Sequence, residues 1–155
     1  MTPPPIRRFD ATRFGWDDVE RVAYKTDAGA PFRDVTRQTL FRRDDMAGEL
    51  RYFEIGAGGH STLERHRHAH AVLVLRGRGQ CLVGTDIHDL GANDLVTVPP
   101  LTWHQFRAAA DVPLGFLCMV DQARDRPALP DDATLAALRA DPAIEAFLAG
   151  DGSHR

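Results

Sequence analysis

The chain is short of cysteine, of lysine and of long apolar runs. Its two cysteines, Cys81 and Cys118, are too few for a disulfide framework. Each sits in an apolar stretch, as reduced, buried thiols do in a cytoplasmic protein. Lys25 is the one lysine; the remaining basic residues are arginines interspersed with acids, and the formal charge is only -3. No basic face is offered to nucleic acid. No apolar run nears the roughly 20 residues that span a bilayer. The N-terminal MTPPPIRRFD has no apolar signal core, so a cytoplasmic location without a membrane partner is expected.

What is present suits one globular domain. A chain of 155 residues, 43% hydrophobic and 26% charged, can enclose a real core. Residues 1–15 read as a loose arm, because three consecutive prolines deny it helix and central strand. From there the pattern is short strands separated by Gly, Pro and Asp turns, at 19–25, 34–43, 49–55, 70–76, 80–83, 86–90, 94–98, 103–108 and 114–120. Gly77-Arg78-Gly79 reads as the turn of a hairpin. Such spacing predicts an all-β sandwich or barrel over 16–121. After residue 121 the β character ends. Asp131 or Asp132 can cap a helix over 133–140, and Asp141-Pro142 can start another, giving a helical extension over 122–155.

The densest chemistry lies between Gly58 and Gly79, where Glu64, His66, His68 and His70 fall within seven residues. Histidines two residues apart suit a strand, whose alternate side chains share a face. A carboxylate and imidazoles gathered inside a barrel suit a divalent transition metal such as Fe, Mn, Co, Ni or Zn. The absence of thiolates speaks against a structural zinc site. A barrel site needs a ligand from another strand. His104, just beyond the Pro99-Pro100 break, is the candidate.

In these residues the chain resembles the cupins. Gly58, Glu64, His66, His70 and Gly77 keep every spacing of the first cupin motif, G-x5-H-x-H-x3-E-x6-G, with Glu64 and His70 exchanged in type. His104 keeps the histidine of the second motif, where Leu101 and Ala108 replace the usual Gly and Asn. The resemblance covers roughly residues 50–120 and implies a single jelly-roll β-barrel with the arm and two short helices attached. It implies Glu64, His66, His70 and His104 as metal ligands and leaves His68 in a connection at the mouth. It also implies a homodimer.

Inward strand positions fall to Tyr52, Val72, Val74, Phe106, Phe116 and Cys118, which with His68 would line a substrate cavity. That lining is apolar and favours a small aromatic or enolic substrate over a sugar phosphate. The reading is a metal-dependent small-molecule enzyme, foremost an Fe or Mn dioxygenase. In it Glu64 is a ligand or, detached, a general base. The alternative is a ligand-binding or sensor barrel without turnover.

Overall fold

The computed structural model describes residues 4–24 and 32–150. The turn expected at 26–31, and the last residue of the strand expected at 19–25, lie outside the described residues. In order, the chain forms β1 (Phe9–Asp10), β2 (Gly15–Trp16), β3 (Arg21–Ala23), β4 (Arg33–Phe41), β5 (Gly48–His60), β6 (His70–Val83), β7 (Asp86–Gly91), β8 (Leu95–Val98), β9 (His104–Ala108) and β10 (Leu114–Asp121). Helices α1 (Asp132–Arg139) and α2 (Pro142–Ala149) follow. The main sheet runs β10-β6-β9-β5-β4-β3, with β7 and β8 alongside β6. Because β10 also pairs with β5, the path closes on itself. The result is the expected all-β jelly-roll barrel with two short C-terminal helices.

Two expected strands are one. β6 runs unbroken through Gly77-Arg78-Gly79, and the chain reverses only at Gly84-Thr85. The glycines answer close neighbours instead. Gly77 has φ +76°, and a β-carbon there would meet the Pro113 carbonyl oxygen. A β-carbon on Gly79 would meet the Arg107 carbonyl oxygen of β9. Gly77 pairs with Leu114 of β10, and two residues before it the β6–β10 register slips between Gly115 and Phe116, leaving Leu75 as an extra residue in β6, a bulge.

Alternation along β4, β5 and β10 sorts the side chains into two faces. Val35, Phe53, Ile55, Val72, Val74, Phe106, Phe116 and Cys118 enter one buried core, each large apolar side chain contributing roughly 1.5–3 kcal/mol on burial. The outer face of β5 is also covered. Residues 9–16 form a β1–β2 hairpin where a loose arm was expected. Phe14 and Trp16 of that hairpin pack on Tyr52 at ring separations of 5.3 and 5.4 Å. Gln38 Nε2 donates to the Phe14 carbonyl, fastening the hairpin to β4.

The helices start where the caps predict. The Asp131 carboxylate accepts from Thr134 N, and that of Asp141 accepts from Ala143 N and Ile144 N. Ile144 and Phe147 of α2 bury against Leu63 and Leu82 in a second, smaller core.

Candidate metal centre

Three of the four proposed ligands converge. His70 opens β6 and His104 opens β9, while His66 comes from the 64–69 connection between strands. That connection is not a regular strand. It is held by isolated bridges, Glu64 to His104 and Arg65 to Ala128. One nitrogen from each of His66, His70 and His104 lies within 4.8 Å of the others.

The outer nitrogens of the rings are engaged. His66 Nδ1–H donates to the His68 carbonyl at 2.7 Å, and His104 Nδ1–H donates to the Thr102 carbonyl at 2.8 Å. Those bonds fix the tautomer and leave Nε2 of both rings as acceptors. His70 Nε2 faces His104 Nε2 at 3.3 Å. Two such nitrogens need a proton or a cation between them. Burial, reinforced by the neighbouring imidazoles, pushes the pKa of His70 down to about 2. Burial likewise lowers His104 to about 4 and lowers His66. The rings are therefore neutral at pH 7, as metal ligation demands. The donor set fits a divalent transition ion, and His66, His70 and His104 can hold one.

Glu64 lies outside this trio. Its backbone pairs with His104 in both directions, and its side chain lines the same cavity. Its negative charge works against the lowering of the His66 and His104 pKa values, so it stands near both rings. His68 is also apart from the trio. Its ring stacks on His66 at 3.7 Å with the planes 4° apart, and its Nδ1 lies 2.9 Å from Asp125 Oδ1. Asp125 accepts twice from Arg67 N, which together with His68 holds its pKa down at about 2.

The cavity over this centre has a volume of about 270 Å³, near the lower end of small-molecule sites. Of the expected lining, His68, Phe106, Phe116 and Cys118 reach it. Tyr52, Val72 and Val74 do not. Tyr52 has the opposite parity to Phe53, so it faces the N-terminal hairpin and donates its hydroxyl to Glu54 at 2.8 Å. Val72 and Val74 are fully enclosed in the core. Phe53 and Ile55 take the places assigned to them.

The apolar picture of the lining also needs correction, because Arg37, Arg51 and Arg124 face the cavity. The alternation Val35-x-Arg37 and Arg51-x-Phe53-x-Ile55 carried this signal for the first two. Arg124 and Asp125, beyond the last strand, carried none. Cys118 lies between two polar partners: its Sγ is 3.3 Å from His70 Nδ1 and 3.6 Å from an Arg51 guanidinium nitrogen. Burial pushes the thiol pKa up, and Arg51 pulls it back.

A closed jelly-roll with a histidine trio at its mouth defines a class, and the comparisons agree with it. Residues 51–120 match the cupin domain model. The chain belongs to the cupin family. It is 56% identical over 146 residues to 1-methylthio-D-xylulose 5-phosphate methylsulfurylase of Rhodospirillum rubrum, covering 94% of this chain and 93% of that one. A cupin-2 domain crystal structure from the same organism is 56% identical, with a TM-score of 0.85, 92% of this chain and 96% of that one being covered. A cupin 2 conserved barrel domain protein from Rhodopseudomonas palustris is 54% identical, with a TM-score of 0.86 over 92% of this chain and 97% of that one. No helix among the described residues is long and apolar enough to cross a membrane.

Proposed function

We propose that this chain is a metal-dependent enzyme that removes a methylthio group from the carbon next to a ketone, in a methylthio-ketose phosphate. One observation carries the reading: a cysteine sulfur lies in the cavity, 3.3 Å from a ring of the histidine trio. The name of the Rhodospirillum relative supplies the substrate class.

His66, His70 and His104 would hold the ion, for which Fe or Mn is the proposal. When bound, the ion supplies a Lewis acid for the ketone oxygen and a positive charge behind His70. With Nε2 of His70 turned to the centre, its proton stays on Nδ1 and is donated to the Cys118 sulfur. Arg51 supports negative charge on the same sulfur.

Glu64, which lines the same cavity, takes the Cys118 thiol proton, and the thiolate attacks the methylthio sulfur. The carbon–sulfur bond breaks, and its electron pair passes into the neighbouring carbonyl. A disulfide forms between Cys118 and the methylthio group. The substrate carbon takes up a proton, for which Glu64 is the assigned acid–base group, and leaves as a 1-deoxy-ketose phosphate. Two equivalents of a small-molecule thiol then reduce the mixed disulfide, releasing methanethiol and restoring Cys118.

The test is methanethiol release from 1-methylthio-D-xylulose 5-phosphate, supplied with a small thiol under anaerobic conditions. Release at the aerobic rate is the expected result. The histidine trio would equally serve a dioxygenase, and turnover that stops without dioxygen would favour that reading. Binding without turnover under either condition would favour the sensor.

A further inference from the structure

The proposed chemistry uses one of the three cavity arginines and leaves two without a task. Arg37 stands on β4 directly opposite Phe53, with Val35 before it on the same face. Arg51 lies two residues before Phe53 and is therefore the diagonal neighbour of Arg37 across the β4–β5 pair. Arg124 follows β10 and reaches the same cavity.

Their counter-charges are unequal. Glu49 serves both Arg124, at 2.7 Å, and Arg51, at 3.4 Å. One buried carboxylate thus answers both of these guanidinium groups, with that of Arg42 at 4.0 Å as a third. The Arg37 guanidinium has no ion pair or hydrogen bond among the described residues, and its Nε is buried without an acceptor. The cavity's other acids are already engaged. Asp125 is bonded to Arg67 N and His68, and Glu64 has an interaction of its own beside the histidines. A donor N–H held out of water without an acceptor carries a cost that an anion reaching the Arg37 guanidinium would offset. Its fork matches the paired oxygens of a phosphate.

We infer that Arg37 anchors the phosphate of a sugar phosphate in this cavity, with Arg51 and Arg124 completing a cationic wall. The identity of the ligand rests on the function proposed above; the anion site rests on the arginines. The reacting end of such a ligand lies at Cys118, which is paired directly opposite Arg51 on β10. Arg37, one diagonal step further across the sheet, sets how far the phosphate stands from that end.

The test is titration calorimetry of the metal-loaded protein with D-xylulose 5-phosphate, which carries the phosphate and ketone but no methylthio group. Arg37→Gln is expected to weaken binding roughly 10- to 100-fold, the effect of losing charged hydrogen bonds. Its metal content and melting temperature should stay at the parent's values. Arg78→Gln, which removes an exposed arginine paired with Asp111, should leave binding unchanged. Parental affinity in Arg37→Gln overturns the assignment. So does an equal loss in Arg78→Gln, which would reduce the effect to net charge, or a loss accompanied by lost metal, which would make Arg37 structural.

If Arg37→Gln does not fold, Arg37→Lys carries the test. Severalfold weaker binding with metal retained is then expected, and unchanged affinity overturns the proposal. Binding is read without turnover, so the two readings separate. Arg37-dependent binding without methanethiol release keeps this site and loses the reaction. Methanethiol release with an unchanged KM in Arg37→Gln does the reverse.

Discussion

Nδ1 of His70 lies 3.3 Å from the Cys118 sulfur, while Nε2 of the same ring lies 3.3 Å from His104. One imidazole thus joins a thiol to the group that can hold a metal. The two cysteines are otherwise alike in being buried, yet only Cys118 meets the cavity. Cys81 sits in the core, where burial raises its pKa to about 12.

This contrast gives the first expectation. Cys118→Ser should lower methanethiol release on the order of 10³-fold or more, since a hydroxyl is a poor nucleophile here. Metal content should not change. Cys81→Ser should retain turnover. The check is steady-state kinetics alongside elemental analysis of each purified variant.

Metal retention separates the trio from its carboxylate neighbour. His66→Ala and His104→Ala should each lose metal under replete expression. Glu64→Gln should keep it while losing turnover, because its side chain is not among the three converging groups. A chelator should lower the parent's melting temperature. An ion at 100 times its Kd adds roughly 2.7 kcal/mol to stability by mass action.

The depressed histidines set a pH dependence for the metal-free protein. Their folded pKa values, about 2 for His70 and about 4 for His104, lie below the ordinary 6.5. Between pH 6.5 and about 4 the unfolded chain therefore binds more protons than the folded one, and stability rises with pH across that window. It is fully present above 6.5 and is lost on acidification. Melting temperature measured against pH should be level above 6.5 and fall below it. The fall should be shallower in His104→Ala.

Gly77→Ala tests the close approach of β6 to Pro113. The substitution adds a β-carbon at φ +76° and drives it into the Pro113 carbonyl. We expect a loss of about 2–4 kcal/mol, read as a lower urea midpoint. Gly58 has a similar φ of +71° but open space around it, so Gly58→Ala should cost less.

Much of this fold could be read from the sequence because its strands are apolar, β-branched or alternating runs bounded by Gly, Pro and Asp turns. The apolar run from Leu114 to Val120 and the β-branched residues of 34–43 needed nothing more. The unbroken strand at Gly77 is hidden in the sequence because glycine signals a sharp turn and a close backbone approach equally well. The outward place of Tyr52 is hidden for a related reason: both faces of β5 are buried, one by the barrel and one by the N-terminal hairpin, so apolar character does not tell them apart. His66, His70 and His104 were legible through spacing. Arg37 and Arg51 were legible through parity, yet charge suggested solvent. The His68–Asp125 pair joins residues 57 apart through a loop that follows no period.

The central claim is that Cys118 takes the methylthio group, and one measurement tests it directly. Metal-loaded protein is mixed with 1-methylthio-D-xylulose 5-phosphate, without dioxygen and without added thiol, and then examined by intact-protein and peptide mass spectrometry. The expected result is one equivalent of 1-deoxy-ketose phosphate and one methylthio group held in disulfide linkage on Cys118, released by a small thiol. Product formed with Cys118 unmodified, or formed only when dioxygen is admitted, would contradict it.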